Sequence, residues 1–331
     1  MREPAFWWRP AGLAAGLLSP LAAVYGAVAA RRMARPGHDV QVPVVCIGNL
    51  TLGGAGKTPT AMAVAQLLKT TGRRPFVLSR GYGGALKGPV QVDPASHDAA
   101  GVGDEPLLLA KIAPTVVARD RLAGAAAARA NGADVIVMDD GFQNPALNKD
   151  LAILVVDGRR GIGNGKVFPA GPLRSPLDDQ LGCAHAMIVI GPGNAGDRMA
   201  AVAERRKLPV FRATLEPDRQ ALDALKGQPV LAFAGIGDPE KFFATLRDAG
   251  IEVRAQRVFP DHHRYRRNEA RDLIAHAERE GLVPVTTEKD EVRLAKQDDL
   301  AALAGLARML PVRLKLADGD AFGDFVLRAV R

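Results

Sequence analysis

The sequence predicts a mixed α/β protein, with two parallel-sheet units behind an apolar N-terminal helix. Three observations predict it. Short apolar runs rich in Val and Ile, at residues 42–47, 135–138 and 151–156, alternate with helical patterns at residues 60–68 and 123–130. Two of these runs end in residues suited to holding a polyphosphate and its metal ion. Near residues 214–218 the pattern breaks, and a new strand, glycine turn and helix begin at residue 230. The 331 residues suit one large or two medium domains. The expected division is residues 1–36 for the N-terminal helix, 37–213 for the first unit, 214–222 for a linker and 223–331 for a smaller unit. Its C-terminal helix could pack on either unit.

An apolar content of 47% with 24% charge is ordinary for a folded chain. The net charge of +8 favours anionic partners: nucleotide, nucleic acid or anionic lipid. No basic-aromatic stripe or reader motif supports nucleic acid. Two cysteines, Cys46 and Cys183, are too few for a disulfide framework, and a reducing cytoplasm is the natural reading.

The first element follows Trp7-Trp8-Arg9-Pro10. Residues 11–30 carry no charge, and Arg31, Arg32 and Arg35 follow them. The stretch is long enough to span a bilayer, but it is rich in Ala and Gly and contains Pro20. A span with the following domain in the cytoplasm fits the positive-inside rule. An interfacial helix, with tryptophans at headgroup depth and arginines on anionic lipid, fits equally well. A cleaved signal peptide fits poorly, because Trp7 and Trp8 precede the apolar run, and a helix buried against the domain is the remaining alternative.

The apolar run 42–47 delivers Thr51-Leu-Gly53-Gly54-Ala55-Gly56-Lys57-Thr58 and then a helix. The backbone N–H groups of residues 53–58 and the helix dipole can cradle the phosphates of ATP. Lys57 would reach the β/γ-phosphates and Thr58 would ligate Mg²⁺. Thr51 stands where the usual pattern has its first glycine. The strand 76–79 runs into Arg80-Gly-Tyr82-Gly-Gly84, at the strand edge where ligands collect in open α/β sheets. That loop serves either as a substrate contact or as a plain connection. Asp104 and Glu105 stand at a helix start, where capping and catalysis are both open readings. The strand 135–138 ends in Asp139-Asp140, and Asp139 is the expected metal carboxylate. Asn148-Lys149-Asp150 falls one residue short of a guanine-reading motif, so nothing supports GTP.

In the smaller unit, Gly235-Ile-Gly237 lacks the third glycine of a dinucleotide fingerprint and reads as a tight turn. His262 and His263 are adjacent and point apart, so they do not read as a metal pair. Residues 282–285 and 312–316 read as its closing strands.

Taken together, these motifs resemble those of the tetraacyldisaccharide 4'-kinase family, the lipid A 4'-kinases of Gram-negative bacteria. The resemblance runs nearly end to end. It rests on Trp7-Trp8-Arg9-Pro10, the loop 53–59, Ser79-Arg-Gly-Tyr-Gly-Gly84, Gly103-Asp-Glu-Pro106 and Asp120-Arg121. Asp139-Asp-Gly-Phe-Gln143, Pro169-Ala-Gly-Pro-Leu-Arg174, Phe259-Pro-Asp-His-His263 and Thr286-Thr-Glu-Lys-Asp290 complete it. Asn144 departs from the usual His, and Ser175 from the usual acidic residue.

The resemblance implies a P-loop NTPase-like α/β/α sandwich and a second, smaller α/β/α domain, joined by a short β linker, with the site in the cleft between them. It implies transfer of the ATP γ-phosphate to the 4'-hydroxyl of an acylated glucosamine disaccharide 1-phosphate, at the cytoplasmic face of the inner membrane, with no protein partner. It further implies Asp104 as general base, supported by His262. Glu105 is a further candidate metal ligand, and Tyr82, Arg80, Arg121, Asp140, Gln143 and Arg174 are candidate substrate or phosphate contacts. On the residues alone, an ATPase or nucleotide-gated switch competes with the kinase, although a switch has no need of Asp261-His262 facing the loop.

Overall fold

The computed structural model describes residues 3–331. Thirteen strands form among them: β1 Val44–Asn49, β2 Pro75–Ser79, β3 Val90–Gln91, β4 Thr115–Val117, β5 Val135–Asp139, β6 Leu151–Asp157 and β7 Ala186–Ile190. They continue with β8 Val210–Pro217, β9 Val230–Ala234, β10 Val253–Val258, β11 Val283–Thr287, β12 Arg308–Leu310 and β13 Val312–Leu316.

Nine strands make one sheet, ordered β13-β8-β7-β6-β1-β5-β2-β4-β3. Its seven inner strands are parallel, and β13 and β3 close the two edges antiparallel. The inner strands β1, β5, β6 and β7 are buried on both faces, which is why they read as unbroken apolar runs. Strands β2, β4 and β5 lie on one side of β1, and β6, β7 and β8 on the other. Strand β1 is therefore the switch point, where an open sheet leaves a crevice at its C-terminal edge. One apolar layer packs the helix Lys57–Thr70, through Ala61, Val64, Ala65 and Leu68, against one sheet face. The opposite layer includes Ala125, Ala128, Met199 and Ala203.

The smaller sheet is parallel, ordered β10-β9-β11-β12. Phe243 is fully buried in its core, among Val230, Leu246, Ile251 and Leu310.

One expectation is corrected here. Residues 312–316 do not close the smaller unit; β13 pairs antiparallel with β8, with Leu314 opposite Leu215. The helix Gly319–Ala329 follows it, burying Phe322 and Val326 in the same layer as the helix Lys57–Thr70. The physical reason is the alternation of Val312-Arg-Leu-Lys-Leu316: Leu314 and Leu316 face that layer while Arg313 and Lys315 are exposed. Such alternation suits a half-exposed edge strand, not a strand covered on both faces. Strand β8 likewise runs on to Pro217, so the first four residues expected in the linker belong to the large sheet.

The N-terminal helix spans Leu13–Met33 and is long and apolar enough to cross a membrane. Only Ala15, Ala22 and Gly26 are buried along it. Gly26 seats the helix on Pro176 and Val167. Its other side presents Leu13, Leu17, Leu21, Val24 and Val28, with Leu13 90% and Leu17 83% exposed. The reading that placed the tryptophans at headgroup depth is not what the structure shows for Trp7. That residue is 5% exposed, edge-on to Phe168, and its indole N–H donates to the Pro169 carbonyl at 3.0 Å. Trp8 donates to Glu3 Oε2 at 3.0 Å.

Phe243→Ala is expected to destabilise the protein by about 3–5 kcal/mol, because a buried aromatic leaves a cavity that its neighbours fill only in part. Urea unfolding checks this, and an unchanged midpoint would contradict the packing described for the smaller core.

Candidate active site

The site starts at the C-terminal end of β1. Asn49 is fully buried there and its amide donates to the Gly53 carbonyl at 3.2 Å, folding the loop back over the strand end. Gly53 and Gly56 hold positive φ angles of 97° and 92°. A Cβ on Gly56 would come within 2.6 Å of Ile190 Cδ1, so the turn into the helix needs glycine twice over. Gly54, by contrast, faces open space. Lys57 and Thr58 are buried in the first turn. The Lys57 ammonium lies 3.2 Å from Asn49 Oδ1, 3.5 Å from the Gly53 carbonyl and 3.7 Å from Asp140 Oδ1. Burial pushes its pKa down, against the pull of Asp140.

Strand β5 ends beside that loop and supplies Asp139 and Asp140. Asp140 takes a left-handed φ of 52° that turns its carboxylate toward Arg174. Arg174 grips both Asp140 oxygens, at 2.8 and 3.2 Å, and its Nε donates to the Thr51 carbonyl at 2.8 Å. Burial opposes ionisation of Asp140, but Lys57 and Arg174 outweigh it and hold the carboxyl below its usual range. Asp139 is different. It is 1% exposed, and its Oδ1 is buried with no hydrogen-bond partner. Burial, then the charges of Glu105 and Asp140, push its pKa up to about 7. A buried carboxylate with an unsatisfied oxygen, beside a phosphate loop and a buried threonine, suits a divalent cation by its donor chemistry.

The helix Asp104–Ala110 brings up two more carboxylates. The N-cap Gly103 makes no side-chain bond, and within the first turn Asp104 Oδ1 accepts the Glu105 N–H at 2.9 Å. Both carboxylates reach toward the smaller unit. Glu105 pairs with Lys289 at 2.6 Å. Asp104 Oδ2 lies 3.2 Å from His262 Nδ1 and accepts from Arg293 Nε at 2.8 Å and from Arg293 Nη2. Burial works against ionisation of Asp104. The His262 hydrogen bond and the Arg293 charge overcome it and keep the carboxyl well below its usual range. The Asp104 hydrogen bond raises the His262 pKa.

His262 and His263 do point apart. His262, at a left-handed φ of 55°, faces Asp104, with the Tyr82 ring 5.0 Å away. His263 turns into its own unit, stacked on Phe259 and bonded to Glu269 at 2.9 Å.

The other predicted contacts divide. Tyr82 and Arg80 are exposed at the cleft mouth. Arg121 is buried, bonded through Nη1 to the Ala118 carbonyl at 2.6 Å, and its Nε is unpartnered. Gln143 is a scaffold residue, its amide donating to the Asn49 carbonyl at 2.8 Å and to Gln180 at 3.0 Å. Sequence reasoning missed Asn49, Lys289 and Arg293. The last two lie on the helix Glu288–Leu294; Lys289 falls within the Thr286–Asp290 motif but had no role assigned to it.

Comparison with known proteins places nearly the whole chain in one family. The model of the family described as "Tetraacyldisaccharide-1-P 4'-kinase" matches residues 14–331. A tetraacyldisaccharide 4'-kinase of Methylobacterium sp. (strain 4-46) is 60% identical over 322 residues, covering 97% of this chain and 95% of its own. One from Rhodopseudomonas palustris (strain BisB18) is 58% identical over 327 residues, covering 99% and 95%. A crystal structure of LpxK from Aquifex aeolicus in complex with ATP superposes with a TM-score of 0.74 at 27% identity, covering 96% of this chain and all of that one.

An Asp held at about 7 when folded, and at its ordinary 3.8 when unfolded, costs stability as pH rises between the two values. The non-ionisable Asp139→Asn is therefore expected to melt above the parent at about pH 8 in chelator, with the gap closing toward about pH 4. A gap that ignored pH would refute the buried-charge account.

Proposed function

The chain belongs to the tetraacyldisaccharide-1-P 4'-kinase family, and from that premise we propose how its cleft works. The protein is an ATP-dependent lipid kinase of lipid A biosynthesis. It moves the γ-phosphate of ATP to the 4'-hydroxyl of a tetraacyldisaccharide 1-phosphate, giving lipid IVA. The observation that carries the mechanism is the pairing of a buried phosphate loop in one unit with a carboxylate–imidazole pair shared between two.

The amides of residues 53–58 and Lys57 bind the polyphosphate of ATP. In exchange, the Lys57 ammonium gains anionic partners that offset its burial. Thr58 and Asp139 would hold Mg²⁺, and Glu105, paired with Lys289, is the further candidate ligand. The ion's contribution when bound is to neutralise charge on the phosphates as the bond breaks. Asp140 is already engaged by Arg174, so its role is to hold that arginine and Lys57 beside the loop. Tyr82, Arg80 and Arg121, which line or approach the cleft, contact the substrate's sugar and phosphates.

Asp104 and His262 act as one acid–base pair on the 4'-hydroxyl. Asp104 alone is a poor base at neutral pH because it is held so firmly ionised. Its carboxylate raises the imidazole's affinity for a proton, and the pair can accept one. Protonated His262 cannot, so turnover falls as pH drops through its raised pKa.

The helix Leu13–Met33 places the protein on the cytoplasmic face of the inner membrane, where its substrate resides. Its exposed Leu and Val stripe supplies the apolar contact, and Arg31, Arg32 and Arg35 supply attraction to anionic lipid.

Transfer of labelled γ-phosphate from ATP to a detergent-dispersed tetraacyldisaccharide 1-phosphate tests the reaction. Lys57→Ala should abolish the labelled lipid, and Asp104→Asn should lower kcat by about 10²–10⁴-fold while ATP still binds. ATP hydrolysis without labelled lipid would return the switch or ATPase reading. The acid limb of the parent's kcat profile should lie above the 6.5 of an ordinary imidazole and move to lower pH in the residual activity of Asp104→Asn. A limb that stays in place would remove His262 from proton transfer. Replacing Leu17 and Leu21 with Glu should release the protein from anionic vesicles in a flotation assay; retention would overturn the helix's role.

A further inference from the structure

Arg293 lies on the helix Glu288–Leu294 of the smaller unit and is 4% exposed. Every side of its guanidinium is occupied. One edge, Nε and Nη2, grips Asp104 Oδ2 in the first unit. The other, Nη1, donates to the Gly235 carbonyl at 2.6 Å and to Asp290 Oδ1 at 2.9 Å.

Its backing is rigid. Asp290 is completely buried and accepts from the Tyr265 hydroxyl at 3.0 Å, the Thr287 hydroxyl at 2.7 Å and the Gly235 N–H at 3.1 Å. Gly235 leaves no slack, because an added Cβ would lie 3.1 Å from Asp290 Oδ1, His263 Cβ and the Pro260 carbonyl alike. The Gly235 carbonyl also accepts the backbone N–H of His262 at 3.1 Å. Both groups that contact Asp104 Oδ2, the imidazole and the guanidinium, are therefore referenced to one backbone oxygen. The planar fork of arginine fits this double duty, whereas an ammonium would serve as a point charge only.

We propose that Arg293 is a positioning residue for phosphoryl transfer: it fixes the Asp104 carboxylate of the first unit against His262 of the second, assembling the proton-accepting pair across the cleft. The inference rests on the kinase reading above. Arg293 does not touch the reacting atoms and acts through Asp104. A displacement of the pair by about an ångström is enough to cost about 100-fold in rate.

The test is steady-state transfer of labelled phosphate to the lipid acceptor by the full chain, as a double-mutant cycle. Arg293→Ala is expected to lower kcat about 100-fold with KM for ATP and for lipid within about threefold, and Arg293→Lys to recover about tenfold of that loss. In an Asp104→Asn background the same Arg293→Ala change should cost less than about threefold, since the residue through which it acts is gone. Circular dichroism checks the fold; if Arg293→Ala does not fold, the cycle is run with Arg293→Lys, whose loss must likewise vanish with Asp104→Asn. An unchanged kcat, or equal losses in both backgrounds, would overturn the proposal and leave the kinase reading intact. Absence of labelled lipid from the parent itself would instead remove the kinase reading, and this inference with it.

Discussion

Four carboxylates crowd one cleft: Asp104, Glu105, Asp139 and Asp140. Such burial is tolerable only when cations and hydrogen bonds compensate it closely, and removing one partner from a buried pair is far more damaging than never having buried it. The chain draws its cations from both units. Lys57 and Arg174 face Asp140, Lys289 faces Glu105, and Arg293 faces Asp104. Among these four, Asp139 is the one with a fully buried oxygen that has no partner among the described residues. The charge left uncompensated by protein is thus the one best placed for a metal ion, while the others are engaged in holding geometry.

That requirement explains how the two units are joined. The chain leaves the large sheet at the end of β8 and re-enters it through β13, so both ends of the smaller unit are anchored on one antiparallel pair. Glu288 ties the start of the helix Glu288–Leu294 to this anchor, accepting from the Val312 N–H at 3.1 Å and from Arg313 at 3.0 Å. The same helix inserts Val292 into an apolar cluster with Val102, Leu107 and Leu108 of the first unit. Apolar contact beside the ion pairs excludes water, which strengthens each electrostatic interaction in the cleft.

The N-terminal helix is linked to the same chemistry. The loop between β6 and β7 carries Phe168 and Pro169, which bury Trp7, and Val167 and Pro176, on which Gly26 sits. Between them the loop places Arg174 on Asp140 and on the Thr51 carbonyl of the phosphate loop. A helix with an exposed apolar stripe therefore rests on the segment that braces the nucleotide site. This suits a kinase whose acceptor is embedded in lipid while its donor is dissolved in water.

Much of this could be read from the residues alone, where the signal is contiguous. A phosphate cradle is made of consecutive backbone amides, so its glycines, Lys57 and Thr58 stand together in the chain. Strands buried on both faces must be apolar throughout, so β1, β5 and β6 announce themselves, and Asp139 is marked by ending one of them. The alternation of Val312–Leu316 was equally visible, but which sheet it joins depends on an edge formed about a hundred residues earlier. Lys289 stands inside the Thr286–Asp290 motif without a mark of its partner, and Arg293 carried no local mark, since the spacing around a helix describes a solvated face as well as a buried one. The phosphate loop, the buried strands and the long apolar helix were legible in the residues because each follows from short-range spacing. Which charges meet across the cleft emerged only on folding, because pairing between residues some 190 positions apart is set by how two sheets are docked.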